Sequence, residues 1–261
     1  MQPISKQTIE GRLSYTHHIR HSGKDVNIVF GQNSTGIEKL YQQFLLYKLI
    51  IGNDMPVFIF EGKTDPLYIR YALQMLHNDY PSLITVTKEK IDYHVKLCTI
   101  TKSFQRIFHV PSGSSGLDYL IEHYYSQRKI FALDADRKPV IFIYDNDEGA
   151  KKIKGKLKNF SNVDPKEMNS NSVYRLFDNI GVIFSTEITG GTIEDLFPPD
   201  LLTVKLDGKP FSKENEFNQE KFYGKRDFAK KVIGSRRKTV DFSGFRTILN
   251  HMKNVTENMT W

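Results

Sequence analysis

The sequence predicts an α/β fold with a mainly parallel sheet, and two stretches far apart in the chain carry that prediction. Val57 to Phe60 and Val140 to Tyr144 are short apolar runs rich in β-branched and aromatic residues. Each run is followed at once by acidic residues and a glycine, and then by a segment that can form a helix. Buried parallel strands deliver side chains to the carboxyl edge of a sheet in this order. We therefore expect the residues after both strands to meet at one edge.

Most of the side chains expected at that edge of the sheet are carboxylates. Glu61 and Asp65 are four residues apart, so a helix that begins near Thr64 lets both face one crevice. Asp145 and Asp147 alternate along an extended segment and face the same way. Four carboxylates packed together raise one another's pKa values unless cations neutralise them, and oxygen ligands favour Mg²⁺ or Mn²⁺. The sequence therefore predicts a divalent metal site.

Size and composition set broad limits on the protein. Its 261 residues and 39% hydrophobic content suffice for a buried core in one large domain or in a domain with flanking segments. The most apolar run, from Phe44 to Ile51, is interrupted by Lys48 and is far shorter than the ~20 residues of a membrane helix. The single cysteine, Cys98, excludes an internal disulfide and a cysteine-based zinc finger. With no apolar signal-peptide core, we expect a soluble cytoplasmic protein without a membrane partner.

Positive charge is concentrated in the last part of the sequence. The net charge is +7, and residues 221–261 hold ten Lys and Arg against three Asp and Glu, so the rest balances at 37 − 10 = 27 against 30 − 3 = 27. Such an excess is typical of proteins that contact polyanions, because neutralising phosphates releases counterions. A solvated surface that only aids solubility explains the same composition. Beside a carboxylate metal site, the nucleic-acid interpretation is favoured.

The first half of the chain alternates strands with helices after an N-terminal segment of different texture. Helical apolar spacing predicts a helix from Thr35 to Ile51, which Gly52 ends. The pattern then predicts strand 57–60, helix 65–77, an insertion or edge hairpin with β-rich pieces at 84–87 and 96–100, core strand 106–110 and helix 117–127. We divide the chain into an N-terminal segment, 1–54, and an α/β domain, 55–261.

The second half continues the same alternation. The pattern predicts strand 140–144, helix 148–159, a polar loop at 160–172, strand 182–185, a strand at 201–206, a basic helix that opens at 224 and an amphipathic helix at 242–252. Helix 148–159 holds five lysines, among them Lys151 and Lys152. A basic helix that leaves an acidic edge suits the backbone of a nucleic-acid strand, although exposed polar helices have the same composition.

A Gly/Ser-rich turn at 111–116 precedes helix 117–127. Backbone N–H groups at the start of a helix bind anions, so a nucleic-acid phosphate is one expected occupant, with Ser114 as a contact. Helix capping by Ser114 or Ser115 is the alternative. The run from Gly62 to Thr64 imitates the end of a nucleotide-binding P-loop, but Val57 stands where that motif needs glycine, which excludes ATP binding.

Taken together, the two acidic motifs resemble a known family. An apolar strand followed by Glu61, Gly62 and Asp65, and a later strand followed by Asp145, Asp147 and Gly149, are similar to the TOPRIM domain. This metal-dependent catalytic module is shared by primases, type IA and type II topoisomerases and OLD-type nucleases. The resemblance covers roughly residues 55–200 and implies a Rossmann-like, mainly parallel sheet flanked by helices.

Two further features resemble OLD-like TOPRIM nucleases in particular. The run from Ile193 to Phe197 is similar to their third acidic motif, which implies that Glu194 helps to bind a second metal ion. A helix-start acid favoured by the helix dipole is the alternative for Glu194. The family also places a lysine near the active site, for which Lys225 is the closest match and Lys230 and Lys231 are rivals.

The N-terminal segment resembles a different protein region. Ile9 to Tyr15 and the helix after it are similar to the end of the thumb in retron reverse transcriptases, some of which continue into a TOPRIM domain. No polymerase palm motif is present in the sequence. The resemblance implies the effector half of such a fusion, a toxic effector of anti-phage defence restrained by a reverse transcriptase and its RNA-linked DNA.

The function expected from these observations is phosphodiester cleavage in DNA or RNA by an endonuclease with two Mg²⁺ or Mn²⁺ ions. Glu61, Asp145 and Asp147 would hold one ion, and Glu194 the second, with Asp65 as a further candidate ligand. Lys225 would stabilise charge that develops on the phosphate. Candidate nucleic-acid contacts are Lys63, Ser114, Lys151, Lys152, Lys230 and Lys231. The alternative is a module that binds nucleic acid or a reverse transcriptase without cutting, and homo-oligomerisation is left open.

Overall fold

The computed structural model describes residues 35–131, 137–161, 163–214 and 216–258, except for the side chains of residues 160 and 161. It also describes the backbone of residues 20–21 and 24–25. Arg20–His21 and Lys24–Asp25 pair as an antiparallel ladder. From residue 57 onward the strands are β1 (Val57–Phe60), β2 (Ile84–Val86), β3 (Ile91–Tyr93), β4 (Lys96–Thr99), β5 (Val140–Tyr144), β6 (Tyr174–Phe177) and β7 (Ile180–Phe184).

Helices connect and cover these strands. The α-helices are α1 (Gly36–Leu46), α2 (Asp65–Met75), α3 (Lys102–Phe108), α4 (Gly113–Gln127), α5 (Lys151–Ser161), α6 (Pro199–Leu202), α7 (Lys225–Asp227) and α8 (Arg246–Glu257). Two π-helical turns, Tyr47–Ile51 and Phe228–Gly234, extend α1 and α7. Short 3₁₀ turns include Glu148–Ala150 and Ile193–Leu196, which lie next to the acidic residues.

The central sheet has five strands in the order β4-β1-β5-β7-β6. Neighbouring strands from β4 to β7 run parallel, and only β6 pairs antiparallel, with β7. Phe60 lies opposite Ile143, and the N–H of Glu61 donates to the carbonyl of Ile143 at 3.1 Å. The acidic residues that follow β1 and β5 therefore emerge side by side at the carboxyl edge, as the sequence predicts.

Alternation of side chains along the strands builds two apolar layers. In β1, Phe58 and Phe60 enter the layer with α2, α8 and the π-turn Phe228–Gly234, while Val57 and Ile59 enter the layer with α4 and α5. Every residue of β1, β5 and β7 is buried. A helix layer on each face accounts for that burial, because parallel sheets are covered on both sides. The predicted α/β class with a mainly parallel central sheet is confirmed.

The predicted core strand at 106–110 is wrong, because Lys102–Phe108 forms helix α3. Thr101 caps this helix, accepting a hydrogen bond from the N–H of Phe104 at 3.1 Å. Phe104 and Phe108, one helical turn apart, stack with ring centroids 4.0 Å from each other. The apolar residues of this segment have helical spacing, but the short β-rich run at 106–110, taken alone, favours a strand.

The β-rich pieces predicted at 84–87 and 96–100 are strands, but the expectation that they form an edge hairpin with each other is wrong. Ile84–Val86 pairs antiparallel with Ile91–Tyr93, whereas Lys96–Thr99 is an edge strand of the central sheet, parallel to β1. Only two short strands form the hairpin, joined by the turn in which the N–H of Thr87 donates to the carbonyl of Lys90 at 2.9 Å. Parallel pairing joins segments far apart in sequence, so local pattern does not reveal it.

Three smaller predictions also differ from the structure. The predicted strand at 201–206 is helical at its start, because Pro199 fits the first turn of α6. Tyr174–Phe177 forms a strand that the pattern did not predict, and the strand predicted at 182–185 spans Ile180–Phe184. Helix α4 begins at Gly113, so Ser114 and Ser115 lie within its first turn and do not cap it, and α2 ends at Met75.

Most of the predicted N-terminal segment, including Ile9 to Tyr15, lies outside the described residues. Its helix is present as α1, which Thr35 and Glu38 begin with a reciprocal capping box. In the part of the chain that the structure describes, no helix is both long enough and apolar enough to span a bilayer.

Candidate metal centre

Three chain segments meet at the carboxyl edge of the sheet and bring the predicted acids together. Asp145, directly after β5, is the central member. Its backbone N–H donates to Glu61 Oε2 at 3.3 Å, and its own Oδ1 accepts from the N–H of Ile193 at 2.9 Å. The hydroxyl of Ser185, directly after β7, donates to the same Oδ1 at 2.9 Å. Asp145 thus connects the segment of Glu61 to the segment of Glu194.

Glu61 is half-buried and faces the start of helix α4. The backbone N–H of Ser114, in the first turn of α4, interacts with its carboxylate, and a Cβ on Gly113 would lie 3.6 Å from Oε1. Burial, and next the charges of Asp145 and Asp147, raise the pKa of Glu61 to about 7. The helix N-terminus that the sequence offered to a phosphate therefore contacts this carboxylate.

Asp65 begins helix α2 and is buried. Its Oδ2 accepts from the N–H of Gly62 at 2.8 Å. Any Cβ on Gly62 would lie 2.4 Å from Asp65 Oδ1, so only glycine lets the carboxylate lie this close to the backbone. Burial, then the charges of Asp145 and Glu194, raise the pKa of Asp65 well above its ordinary value. The N–H of Gly62 and the charge of Lys225 act in the opposite direction and favour the ionised carboxylate.

Asp145 itself is buried between the other acids. Burial and the charge of Glu194 raise the pKa of Asp145 to about 6, against the opposing effects of Lys225, Ser185 and Ile193. Asp147 is less buried, and its Oδ1 accepts from the N–H of Gly149 at 2.8 Å. Asp147 thereby caps the 3₁₀ turn Glu148–Ala150 while its charge acts on Glu61.

Glu194 is completely buried and has a cation beside it. The hydroxyl of Tyr68 donates to Oε1 at 3.4 Å, and Lys225 Nζ lies 3.2 Å from Oε2. Apart from this ion pair with Lys225, Oε2 accepts no hydrogen bond from the described residues. A buried carboxylate oxygen in this state has capacity for a further ligand.

Lys225 is the lysine of the C-terminal region that reaches the acids. Burial lowers the pKa of its ammonium, but the charges of Glu194, Asp145 and Asp65 outweigh that effect, and the net shift is upward. The rival lysines are placed elsewhere: Lys230 is exposed, and Lys231 pairs with Asp227 at 3.2 Å. Of the three lysines considered from the sequence, the structure brings Lys225 to the acidic edge.

The other predicted nucleic-acid contacts are spread over the surface. Lys63 is exposed beside Glu61, and Lys151 is exposed and pairs with Glu148. Lys152 lies 3.2 Å from the buried carboxylate of Glu122 on α4, so helix α5 uses this lysine to contact α4. Lys152 therefore has a packing role that the sequence pattern did not indicate.

The structure adds Asn146 and Lys154, which the sequence reasoning missed. Asn146 is buried between the two aspartates, and its Nδ2 donates to the carbonyl of Thr186 at 3.1 Å. Its backbone pairs with Gly191, and Lys154 Nζ donates to its Oδ1 at 2.6 Å. These bonds tie the Asp145–Asp147 segment to the loop that leads to Glu194. The signal in the sequence is the position of Asn146 at a strand end between two acids.

The donor set fits divalent cations in its chemistry. Glu61, Asp65, Asp145, Asp147 and Glu194 offer hard oxygen ligands, and Glu194 Oε2 has an unfilled hydrogen-bonding position. Throughout residues 35–131, 137–161, 163–214 and 216–258, however, no three His, Cys, Asp or Glu side chains are already grouped closely enough to ligate one ion. Lys225 and the backbone N–H groups hold the carboxylates in their present positions.

The fold and the site define an α/β protein with a mainly parallel sheet, consistent with a Rossmann-like arrangement, and with a buried cluster of acids at the carboxyl edge. No protein-family model matches the chain, and no solved structure matches it significantly. The TOPRIM resemblance therefore rests on the two acidic motifs and stays a prediction.

Proposed function

We propose that the protein is a divalent-metal-dependent endonuclease of the TOPRIM type that hydrolyses phosphodiester bonds of DNA or RNA. The observation that carries this proposal is the convergence of five carboxylates and one lysine at a single sheet edge. Asp145 contacts the segments of both Glu61 and Glu194 through hydrogen bonds. Burial and neighbouring carboxylates raise the pKa values of Glu61, Asp65 and Asp145. Such an arrangement costs stability and is typical of sites selected for function.

In this proposal the acids are assigned to two groups, one for each ion, and the side chains of each group move closer together when the ion binds. Glu61, Asp145 and Asp147 form the outer group, in which Asp145 and Asp147 act on Glu61 by charge. Asp65 and Glu194 form the inner group, in which Asp145 and Lys225 also take part. When bound, Mg²⁺ or Mn²⁺ ions supply Lewis-acid polarisation of a phosphate and activation of water.

The chain's own residues have distinct roles in this proposal. Lys225 places a fixed positive charge beside the inner acids, where charge that develops on the phosphate is stabilised. Glu61 is less buried than Asp65 or Glu194, so it is better placed to accept a proton from the attacking water. Asn146 and Ser185 position Asp145 and the loops on either side of it.

Cleavage assays with a matched pair of variants test the nuclease. The purified protein is incubated with DNA and RNA in Mg²⁺, Mn²⁺ or EDTA, beside Asp145→Asn and Asp79→Asn. Asp79 is a half-exposed aspartate that pairs with Arg246 outside the acidic cluster. We expect metal-dependent cleavage by the wild type and Asp79→Asn, and a loss of at least about 100-fold in Asp145→Asn. Cleavage that persists in Asp145→Asn would show a contaminant.

The second candidate is a module that binds nucleic acid or a partner protein without cutting. The ion pair between Lys225 and Glu194 favours it, because an internal ammonium already neutralises one of the inner acids. Nucleic-acid binding that needs no divalent ion and survives Asp145→Asn, with no cleavage in either metal, would identify this module.

We further propose that the biological role is that of a retron effector held inactive by a reverse transcriptase and its RNA-linked DNA. Support comes from the resemblance of Ile9 to Tyr15 to a thumb region. The coding context tests this role: a polymerase palm encoded upstream in the same reading frame supports it, and an unrelated neighbouring gene contradicts it.

A further inference from the structure

A cleft lies next to Lys225. Its volume is about 490 Å³, and its walls are the turn around Leu206 to Lys209, the segment from Phe217 to Tyr223 and helix α7. Lys225 belongs to both places, because it lines the cleft while its Nζ lies 3.2 Å from Glu194 Oε2. Lys225 is therefore shared by the acidic edge and the cleft, which places the two next to each other.

Three aromatic residues are among those that line the cleft. Phe217, Phe222 and Tyr223 line it, and Phe222 is 37% exposed. The ring of Phe217 packs so closely on Gly224 that a Cβ there would lie 2.5 Å from it, so glycine at this position lets the ring take its place. The hydroxyl of Tyr223 donates to the carbonyl of Val204 at 2.6 Å. These contacts fix two of the rings, and Phe222 presents its surface to solvent.

The rest of the wall is also held by hydrogen bonds. Leu206 and Lys209 exchange two backbone bonds, of 3.0 and 2.9 Å, across a tight turn. Lys209 Nζ donates to the carbonyl of Gln219 at 2.8 Å, which joins the turn to the aromatic segment. The cleft is therefore formed before any ligand arrives, which lowers the entropic cost of binding.

Charge alone does not explain this cleft. Four cations line it, but Asp207, Glu214 and Asp227 line it as well, so the net charge is close to neutral. Lys225 and Lys231 are paired with Glu194 and Asp227. Arg226 is exposed, and no ion pair to it is found within the described residues. A phosphate site needs a stronger positive balance, whereas exposed aromatic faces beside one arginine suit a flat π-system.

We propose that this cleft receives an unstacked nucleobase next to the scissile phosphate, so that the substrate is single-stranded or locally unpaired at the cut. The inference rests on the proposed nuclease function for its link to the acidic edge. A duplex keeps its bases stacked inside, so its base faces do not reach the wall that Phe222 and Phe217 form. Stacking on aromatic side chains tolerates any base, so the cleft selects strandedness and does not select sequence.

Fluorescent oligonucleotides test the cleft apart from any cleavage. The probe is a short single-stranded DNA or RNA with one 2-aminopurine, compared with its duplex, in Ca²⁺ and in EDTA. We expect the wild type to bind the single strand and change the 2-aminopurine emission. Phe222→Ala should weaken that binding by about 5- to 100-fold and abolish the emission change. Phe44→Ala, which removes a 54% exposed aromatic ring on α1, is the matched control and should change neither.

Folding and function are separated by further variants. Phe222→Leu keeps an apolar surface without a π-face and should behave like Phe222→Ala, while circular dichroism checks that all variants fold. Equal affinity for duplex and single strand, or no binding, overturns the proposal, as does unchanged binding in Phe222→Ala and Phe222→Leu. Single-strand binding of the predicted kind without cleavage would overturn the nuclease and keep the base-binding cleft. Efficient cleavage of intact duplex, unaffected by Phe222→Ala, would overturn the cleft and keep the nuclease.

Discussion

Individual residues at the acidic edge are arranged at the expense of stability. Glu61, Asp65 and Asp145 all have raised pKa values, with burial as the largest cause and neighbouring carboxylates next. A packed hydrophobic edge would avoid this cost entirely. The single-residue variants below therefore test whether these acids lower the stability of the metal-free protein.

Replacing Glu61 by glutamine should stabilise the metal-free protein at alkaline pH. The pKa of Glu61 rises from 4.5 to about 7 on folding, so the folded state binds more protons than the unfolded state between these values. Stability therefore falls as the pH rises through this window, and the loss is complete above it. In EDTA near pH 8, the free energy of unfolding of Glu61→Gln should be about 1–3 kcal/mol higher than that of the wild type. The difference should shrink toward pH 5.

Glu148→Gln is the control for that measurement, because Glu148 is an exposed acid in the neighbouring loop. Urea unfolding of both variants at the two pH values gives the comparison. A Glu61→Gln protein that is no more stable than Glu148→Gln at pH 8 would contradict the burial of charge at this edge.

Removing the ammonium of Lys225 should destabilise the fold. Lys225→Met leaves the fully buried Glu194 without its counter-charge, at a cost of about 3–5 kcal/mol. Adding Glu194→Gln to the same chain should recover most of that loss. Lys230→Met removes an exposed lysine and should change stability by less than about 0.5 kcal/mol. Denaturant unfolding in EDTA measures all three, and equal stability of Lys225→Met and Lys230→Met would refute the ion pair.

At the scale of elements, strand ends position the acids, and short polar links join those ends. Asn146 joins the end of β5 to the loop after β7 through the carbonyl of Thr186 and the backbone of Gly191. Lys154 on helix α5 donates a hydrogen bond to the side-chain oxygen of the same asparagine. The buried side chain of Asn146 thus helps, together with Asp145, to hold the loops that carry the acids.

Asn146→Ala should loosen the site and the fold together. The buried carbonyl of Thr186 loses a donor, which costs about 1–3 kcal/mol of unfolding free energy. Residues that orient metal ligands typically contribute 10- to 100-fold in metal affinity, so Mn²⁺ affinity should fall by about that factor. Lys154→Met removes only the lysine contact and should have a smaller effect on both. Unchanged Mn²⁺ affinity in a folded Asn146→Ala protein would exclude this positioning role.

Elements also show how far local pattern reaches. The strands before Glu61 and Asp145 are predictable because fully buried parallel strands read as continuous apolar runs. Helix α3 resembles a strand in sequence when Ile107 and Phe108 are considered without Phe104, one turn before. Strand β4 resembles part of a hairpin because its true partner, β1, lies about forty residues earlier in the sequence. Tertiary pairing therefore decides what local periodicity does not.

For the whole molecule, the basic C-terminal region is a candidate surface for binding phosphates. Arg236 and Arg237 are exposed in the segment between the π-turn Phe228–Gly234 and α8, within the basic C-terminal region. If the region binds phosphates, Arg236→Gln with Arg237→Gln should reduce the slope of log affinity against log salt by about 0.7–0.9 for each phosphate left unneutralised. Lys88→Gln with Lys90→Gln, on the β2–β3 hairpin, should leave that slope unchanged. Equal slopes for both double variants would make the basic region a solvated surface.

The acidic motifs in the sequence predicted most residues of the candidate site, and only the folded structure identified the others. That Glu61, Asp145 and Glu194 meet follows from adjacent parallel strand ends, which motif spacing indicates. The ion pair of Lys225 with Glu194 depends on how α7 packs, and spacing alone left Lys230 and Lys231 as rival candidates. The aromatic cleft is formed by a loop that has no periodic sequence pattern, so it could not be predicted from the sequence.

Calorimetric titration of the metal-free protein with Mn²⁺ is the most direct test of the central claim that these acids hold divalent cations. We expect saturable binding by the wild type, near two ions per chain, and a loss of that binding in Asp145→Asn while Asp79→Asn binds normally. Absence of binding in the wild type, or equal binding by Asp145→Asn, would contradict it.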